Sequence, residues 1–492
     1  MGTAIPVNHA CFDASTAAEA TGGRIARRRT RRTQACGITT DSRAVTPGSA
    51  FVALRGERHD GHTFVSAAVA AGAVLVLVEQ RRGPTGADVD VVEVGDTLSA
   101  WGCLARAHLR AWRRARERAC VVAITGSAGK TTTKEMCARL LQAVAKCHAT
   151  LGNLNNRVGL PAVVLGVEPE HRFLVLEMGM SETGEIAALG AIAEPDVSLI
   201  TNVGLAHAGG VGGTVDDVAC EKGAIFAAVR ADGSIVANAD DAAVMARART
   251  IQGRKCVTFG RAVHADVCLA SREVLGIASS RVAIDRRGRR AWFDVPIAGE
   301  AAAMDFTAAL ATAEAAAGPI DDAVVTSVLH SVAPLAGRMN VYRAGSVVIL
   351  DDAYNANPAS VRSALATLAE TGRLGEPGAS PVLRRVAILG EMKELGPMAE
   401  REHAAIGEAV ADAGVSLLVS CGGLADAIAL AAERRGVQVV LALDATQAAR
   451  AAIEQVRPGD AVLVKASRGV GAERVVEALA ANARTGDRSR AL

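Results

Sequence analysis

The chain reads as an α/β protein of three domains: a mixed α/β N-terminal domain, a central P-loop-type domain on a parallel sheet, and a Rossmann-like C-terminal domain. Three observations predict this. At 492 residues the chain exceeds one ordinary domain, and roughly 150 residues per domain gives about three. Continuous apolar runs of strand length alternate with helical patterns from residue 120 onward, as expected where both faces of a parallel sheet are covered. A Pro/Gly break at SVAPLAGR (331–338) divides that alternating stretch in two. The expected boundaries are 1–115, 116–333 and 334–492.

Composition narrows the classes. Half of the residues are hydrophobic and 22% are charged, which excludes wholesale disorder. Aromatic residues make up only 3%, so Ala, Val, Leu and Ile must build the cores. A net charge of +2 gives no case for a nucleic-acid partner. The 10 cysteines are scattered, without C-x-x-C or zinc-finger spacing, so no disulfide framework is expected. Met1 to Thr16 lacks the apolar stretch of a signal peptide. The most apolar window, Val65 to Val78, reads as helix, turn and buried strand, not as a membrane span. A cytoplasmic protein without a membrane span is the expectation.

The elements follow in order. SAFVAL (49–54) and AVLVLVE (73–79) are short strands of the first domain. Its last helix, 99–118, is studded with arginine, as is the earlier cluster Arg27, Arg28, Arg29, Arg31 and Arg32. With a near-neutral chain these read as a solvated face over apolar residues at helical spacing. CVVAIT (120–125), FLVLE (173–177) and VSLITN (197–202) are the buried strands of the central sheet. A β-rich stretch to Ile297 and an Ala-rich helix close that domain. VVILDD (347–352), RVAILGE (385–391), SLLVSCG (416–422), VQVVLAL (437–443) and AVLVKAS (461–467) are the strands of the last.

The sharpest chemical signal is Gly126-Ser127-Ala128-Gly129-Lys130-Thr131-Thr132, between a strand and a helix. Glycines let backbone N–H groups close around phosphate oxygens at a helix N-terminus that favours anions. Lys130 would reach the β- and γ-phosphates of a nucleotide and Thr131 would bind Mg²⁺. The full Walker pattern wants glycine at position 124, where Ile124 stands, so this is a shortened form. Glu177 ends a buried strand at the sheet's carboxyl edge, where ligands bind; alone, such a residue is more often a helix cap or surface group. A lone His207 in a Gly-rich loop is ordinarily structural, and a helical Lys222 ordinarily exposed.

Taken together, phosphate loop, strand-end Glu177, post-strand His207 and helical Lys222 resemble the Mur ligases, ATP-dependent enzymes that add amino acids to UDP-N-acetylmuramic acid. The resemblance implies Lys130, His207 and Lys222 as catalytic residues. It implies two Mg²⁺ ions held by Thr131, Glu177, His207 and Lys222, with a CO₂-derived carbamate on Lys222. The need is physical: a carboxylate must attack the γ-phosphate, and two unit charges about 4 Å apart repel by roughly 4 kcal/mol at an effective dielectric of 20.

The resemblance runs nearly end to end. Thr40-Asp41-Ser42-Arg43 and PGSAFVALRGERHDGHTF (47–64) are similar to the family's UDP-binding domain and imply Ser42 and Arg43 as contacts to the uridine diphosphate. LGNLNNRVGLP (151–161) is similar to its Asn-rich loop, which implies Asn153, Asn155 and Asn156 against the muramoyl substrate. DDAYNANPAS (351–360), LGEMKELG (389–396) and the TGSAGKTTTKE loop resemble the branch that takes D-alanyl-D-alanine onto UDP-N-acetylmuramoyl-tripeptide. That branch implies Asn355, Asn357, Lys465, Ser467 and Arg468 as substrate contacts, with Arg338 and Asp352 on ATP. A D-N-P-R motif for diaminopimelate is absent.

Two departures matter. The family's G-x-H-N-x-x-N-A-L stretch, whose asparagine reads adenine, is here Gly299 to Thr307 with Ala301, Ala302 and Asp305. An ionised Asp305 only accepts hydrogen bonds, where an amide also donates. Arg157 and Ala224 stand where the family commonly has acids. The implied reaction passes through an acyl phosphate, on a monomer whose C-terminal domain swings closed; no residue presents itself as general base. A folylpolyglutamate-synthase-like ligase and a catalytically lapsed nucleotide-binding regulator are the rival readings. The TDSR block and YNANP argue against the first, and the retained Lys130, Thr131, Glu177, His207 and Lys222 against the second.

Overall fold

The computed structural model describes residues 5–30, 33–56, 59–83, 88–371 and 382–490, with 483–490 as backbone only. Arg31 and Arg32 of the basic cluster, and Glu57 and Arg58 of the 47–64 block, lie outside the described residues.

Three large sheets carry the α/β architecture. The central one has nine strands. Cys120–Thr125 sits inside it, flanked by Phe173–Glu177 and Val197–Ile200, both parallel to it. Register brings Glu177 beside Ile124 and Ile200 beside Thr125, so all three strands end at one carboxyl edge. After Cys120–Thr125 the chain runs to one side of that strand, and after Phe173–Glu177 it crosses to the other, which opens a crevice at that edge. The β-rich stretch after residue 260 is an antiparallel extension of the same sheet, Val267–Val274, Ser280–Arg286 and Arg289–Val295.

The last sheet has six strands. Val347–Asp351, Arg384–Gly390 and Asp460–Lys465 run parallel in its middle, so the loops after them share one edge. The first sheet has five strands and includes Asp90–Val94, a strand the sequence reading passed over.

The Arg-studded helix, Thr97–Ala115, departs from expectation. Its apolar stripe, Trp101, Leu104, Leu109 and Trp112, is buried in a core shared with central residues such as Leu160 and Leu174. Trp101 Nε1 donates to Val158 O at 2.9 Å and Trp112 Nε1 to His171 O at 3.1 Å. Three of its arginines are ion-paired rather than simply solvated: Arg106 and Arg110 both hold Glu194, and Arg113 holds Asp196. The helix thus straps the first sheet to the second.

A second departure is the disulfide between Cys11 and Cys36, which face each other on paired antiparallel strands with Cα atoms 4.3 Å apart. Spacing alone could not reveal it, because the pairing of those strands decides it. No helix among the described residues is long and apolar enough to cross a membrane.

Candidate active site

The phosphate loop joins the central strand to the helix Lys130–Gln142. Gly126 has φ of 155°, and a Cβ there would lie 1.9 Å from Thr201 Oγ1, so only glycine fits. Thr201 Oγ1 donates to Ala128 O at 2.6 Å, and Asn202 Oδ1 accepts from Ala128 N–H at 2.9 Å. The neighbouring strand end therefore sets the loop's shape. Asn202 closes the run VSLITN, and that position was its one sequence signal. Lys130 Nζ donates to Gly126 O at 2.8 Å, and burial pulls its ammonium below the ordinary lysine range.

Glu177 is 2% exposed. Its Oε2 accepts the Thr131 hydroxyl at 2.6 Å and its Oε1 accepts from Asn155 Nδ2 at 2.7 Å. Loop hydroxyl, strand-end acid and Asn-rich loop are thus joined around one carboxylate. Among the described residues no group of three His, Cys, Asp or Glu side chains could cage a metal. One carboxylate and one hydroxyl beside a phosphate loop fit Mg²⁺ instead, which keeps waters and takes substrate phosphates as ligands.

Lys222 lies on the helix Val215–Ala227, started by a capping box between Thr214 and Asp217. Val218, Lys222 and Ile225 follow helical spacing and are all buried, so the lysine occupies the apolar stripe. It is 1% exposed and makes no hydrogen bond or ion pair among the described residues. Burial drives its pKa well below the ordinary lysine value, and the Lys130 charge adds to this. The next-door Glu221 accepts from Gly184 N–H and Ile186 N–H, both at 2.8 Å, capping the helix Glu185–Ala193.

His207 adopts φ of 64° and faces Glu394, which itself adopts φ of 67°. A left-handed conformation costs a non-glycine residue about 1 kcal/mol or more. His207 Nδ1 touches Glu394 Oε2, and this contact holds the Glu394 carboxyl below its usual range. Glu394 lies in the LGEMKELG segment, but the sequence offered no signal that it would meet His207.

These groups line a cavity of about 650 Å³ between the central and last sheets. Lys130, Thr131, Thr132, Asn153, Asn155, Asn156, Glu177 and His207 form one wall. Arg338, Asp352, Asn355, Asn357, Lys465 and Arg468 form the other. Asn357 Nδ2 reaches across to Ser127 O at 3.1 Å. Asn156 spends its side-chain oxygen on Gly159 N–H at 2.8 Å, at the start of the helix Gly159–Leu165. Lys465 is 3% exposed; it donates to Asp352 Oδ2 at 2.6 Å and to Asn355 O at 2.9 Å. Arg338 lies 4.1 Å from the Tyr354 ring centroid and Arg468 5.3 Å.

Five expected residues stand off the cavity surface, the first being Gly126, pressed against Thr201. Lys222 is buried behind it. Ser467 is buried and accepts from Lys393 N–H at 2.9 Å. Ser42 and Arg43 sit on the first sheet's side, with Arg43 bonded bidentately to Asp41 at 2.9 and 2.7 Å.

Asp305, weighed in the sequence as an ionised, acceptor-only side chain, is partly buried at the phosphate loop. It packs on the phosphate loop, where a Cβ on Gly129 would lie 2.1 Å from its Oδ1. Burial raises its pKa to about 8. A protonated carboxyl both donates and accepts, as an amide does.

Comparison with known proteins adds the following. Residues 35–108 match the model of the Mur ligase family, catalytic domain. Residues 124–313 match the Mur ligase middle domain, and 337–468 the Mur ligase, glutamate ligase domain. The UDP-N-acetylmuramoyl-tripeptide–D-alanyl-D-alanine ligase of Synechocystis sp. is 34% identical over 448 residues, covering 90% of this chain and 92% of that protein. A crystal structure of MurF from Acinetobacter baumannii superposes with a TM-score of 0.85 at 29% identity, covering 96% of this chain and all of that one. MurF ligase from Thermotoga maritima in complex with ADP gives 0.79 at 28% identity, covering 93% and 98%.

Proposed function

The chain belongs to the Mur ligase family, and we infer that it joins D-alanyl-D-alanine to UDP-N-acetylmuramoyl-tripeptide at the expense of ATP. The product is the UDP-N-acetylmuramoyl-pentapeptide precursor of peptidoglycan. The observation that carries the reading is the meeting in one cavity of the phosphate loop, Glu177 and His207 with the YNANP loop of the last sheet.

The tripeptide's terminal carboxylate attacks the γ-phosphate of ATP to give an acyl phosphate and ADP. The amine of the dipeptide then attacks the carbonyl carbon, and phosphate leaves. Lys130 and the loop amides hold the phosphates and stabilise the charge that develops on them. Two Mg²⁺ ions, held by Thr131 and Glu177 and by His207 and a carbamylated Lys222, would screen one anion from the other. The burial of Lys222 supports that modification: it drives the pKa well below the ordinary lysine value and so favours the neutral amine, the form that adds CO₂. Arg338 and Asp352 hold ATP from the last sheet, and Asn153, Asn155 and Asn156 the muramoyl substrate. Ser42 and Arg43 hold the uridine diphosphate at the far end of an extended molecule, consistent with their place outside the cavity. Asn355, Asn357 and Arg468 face the dipeptide, with Lys465 and Ser467 fixing the loops that carry them. The enzyme works as a cytoplasmic monomer.

Mass spectrometry of a reaction with ATP, Mg²⁺, the UDP-tripeptide and D-alanyl-D-alanine tests this. The expected product is the UDP-tripeptide plus the dipeptide less one water. An equal yield with an unrelated amine would reassign the substrate.

A further inference from the structure

The cavity wall formed by the last sheet presents one acid whose engagement is incomplete. Glu394 lies in the loop after the strand Arg384–Gly390 and reaches toward the central sheet. Its backbone oxygen accepts from Gly209 N–H at 3.2 Å. Beside that bond the two backbones touch: a Cβ on Gly396 would lie 2.9 Å from Gly209 Cα. The docking holds Glu394 and His207 face to face, each in a left-handed conformation. Strain of this kind persists where the surrounding structure enforces it, and it concentrates at functional sites.

The Glu394 side chain is 56% exposed and opens into the cavity. Its Oε2 meets His207, and its Oε1 makes no hydrogen bond or ion pair among the described residues. The other acids of the cavity are placed differently. Glu177 is shared by Thr131 and Asn155, and Asp352 by Lys465 and Met339 N–H. Glu185 accepts Ser181 N–H and Glu182 N–H on its Oε2, in the turn before its helix, and Asp305 is pressed onto the phosphate loop.

An α-amino group with a pKa of about 8 arrives mainly as ammonium at neutral pH, and a carboxylate is the natural receptor for it. We propose that Glu394 receives the amino end of the incoming dipeptide as ammonium and holds it beside the carboxyl activated at the Lys130–Glu177 site. There it gives up one proton to solvent before the neutral amine attacks. Arg468 lies on the same wall, its Nη1 donating to the Tyr354 hydroxyl at 3.2 Å. A zwitterion thus finds an acid and a base on one surface, and the strained turn at Glu394 fixes where the amine lies. The proposal rests on the ligase reading above and adds a specificity-determining residue to it.

Hydroxylamine, which is uncharged at neutral pH, captures an acyl phosphate as a hydroxamate without needing an ammonium receptor. Hydroxamate formation and dipeptide ligation are measured side by side for the full-length enzyme and for Glu394→Gln, Glu394→Ala and Glu394→Asp. The expected result is a fall of about ten-fold or more in the ratio of ligation to hydroxamate formation for the Gln and Ala variants. It should appear as a raised KM for the dipeptide, with partial recovery in Glu394→Asp. If the two activities fall together, Glu394 only latches the sheets; if neither falls, it is idle. Either outcome overturns the proposal. Failure of the unaltered enzyme to form any hydroxamate would instead overturn the ligase reading, and the proposal with it.

Discussion

Asn357 Nδ2 donates to Ser127 O at 3.1 Å, tying the first turn of the last sheet's helix Pro358–Glu370 to the phosphate loop. The same side chain caps that helix through Ser360 N–H at 3.0 Å. One residue therefore reports the position of the last sheet to the phosphate loop. Asn357→Ala should lose about 1 kcal/mol of stability from the missing cap and raise the KM for ATP. Calorimetry and steady-state kinetics check the two effects. A loss of stability with an unchanged KM would mean that the contact across the cavity is incidental.

Lys222→Met keeps most of the side-chain volume and removes the amine. Turnover should fall by about 10²–10³-fold, the scale of losing one group that stabilises developing charge, while folding is retained. The direction of the stability change follows from the lowered pKa. Below the ordinary lysine value the unfolded chain binds a proton that the folded chain does not, so folding loses stability as pH falls. The variant escapes this loss, and in CO₂-free buffer its Tm should be no lower than that of the parent, with the advantage growing toward acid pH. Undiminished turnover would remove Lys222 from the chemistry.

Asp305, with its pKa raised to about 8, has the opposite pH dependence. Between the ordinary carboxylate value and about 8 the folded chain holds a proton that the unfolded chain has released, so stability falls as pH rises through that window. Asp305→Asn should abolish this slope, and its Tm advantage over the parent should widen from about pH 5 to about pH 8.5. Parallel Tm profiles would show that the carboxyl ionises at its ordinary value.

At Gly209 an added Cβ would lie 3.0 Å from Gly396 N, on a backbone that cannot recede without separating the sheets. Gly209→Ala should cost about 1–3 kcal/mol as overpacking, expressed mainly as a fall in kcat because the cavity no longer closes fully. Small-angle scattering with and without ligands would show the loss of the compact form.

Much of this was legible in the sequence, for identifiable reasons. Runs such as Cys120–Thr125 and Phe173–Glu177 are apolar up to their final Thr125 and Glu177 because both sheet faces are covered, and they end where the observed strands end. Lys222 was legible only through the family resemblance, since a helical lysine is ordinarily exposed; the structure places it on the buried face of Val218 and Ile225. The missed features depend on tertiary arrangement. Glu394 meets His207 only because two loops distant in sequence dock through glycines, and the Asp305 proton depends on burial against Gly129. Arg106 and Arg110 read as a solvated face because their partner, Glu194, lies on another part of the chain. The pairing of Cys11 with Cys36 likewise follows from strand register.

The most direct test of the central claim is an omission series on ADP release. The full-length enzyme is given ATP and Mg²⁺ alone, then with UDP-N-acetylmuramoyl-tripeptide, then with D-alanyl-D-alanine, then with both. Sustained release only when both substrates are present, abolished by Lys130→Ala, is the predicted result. Sustained release from ATP alone, or none in any mixture despite bound ATP, would contradict it.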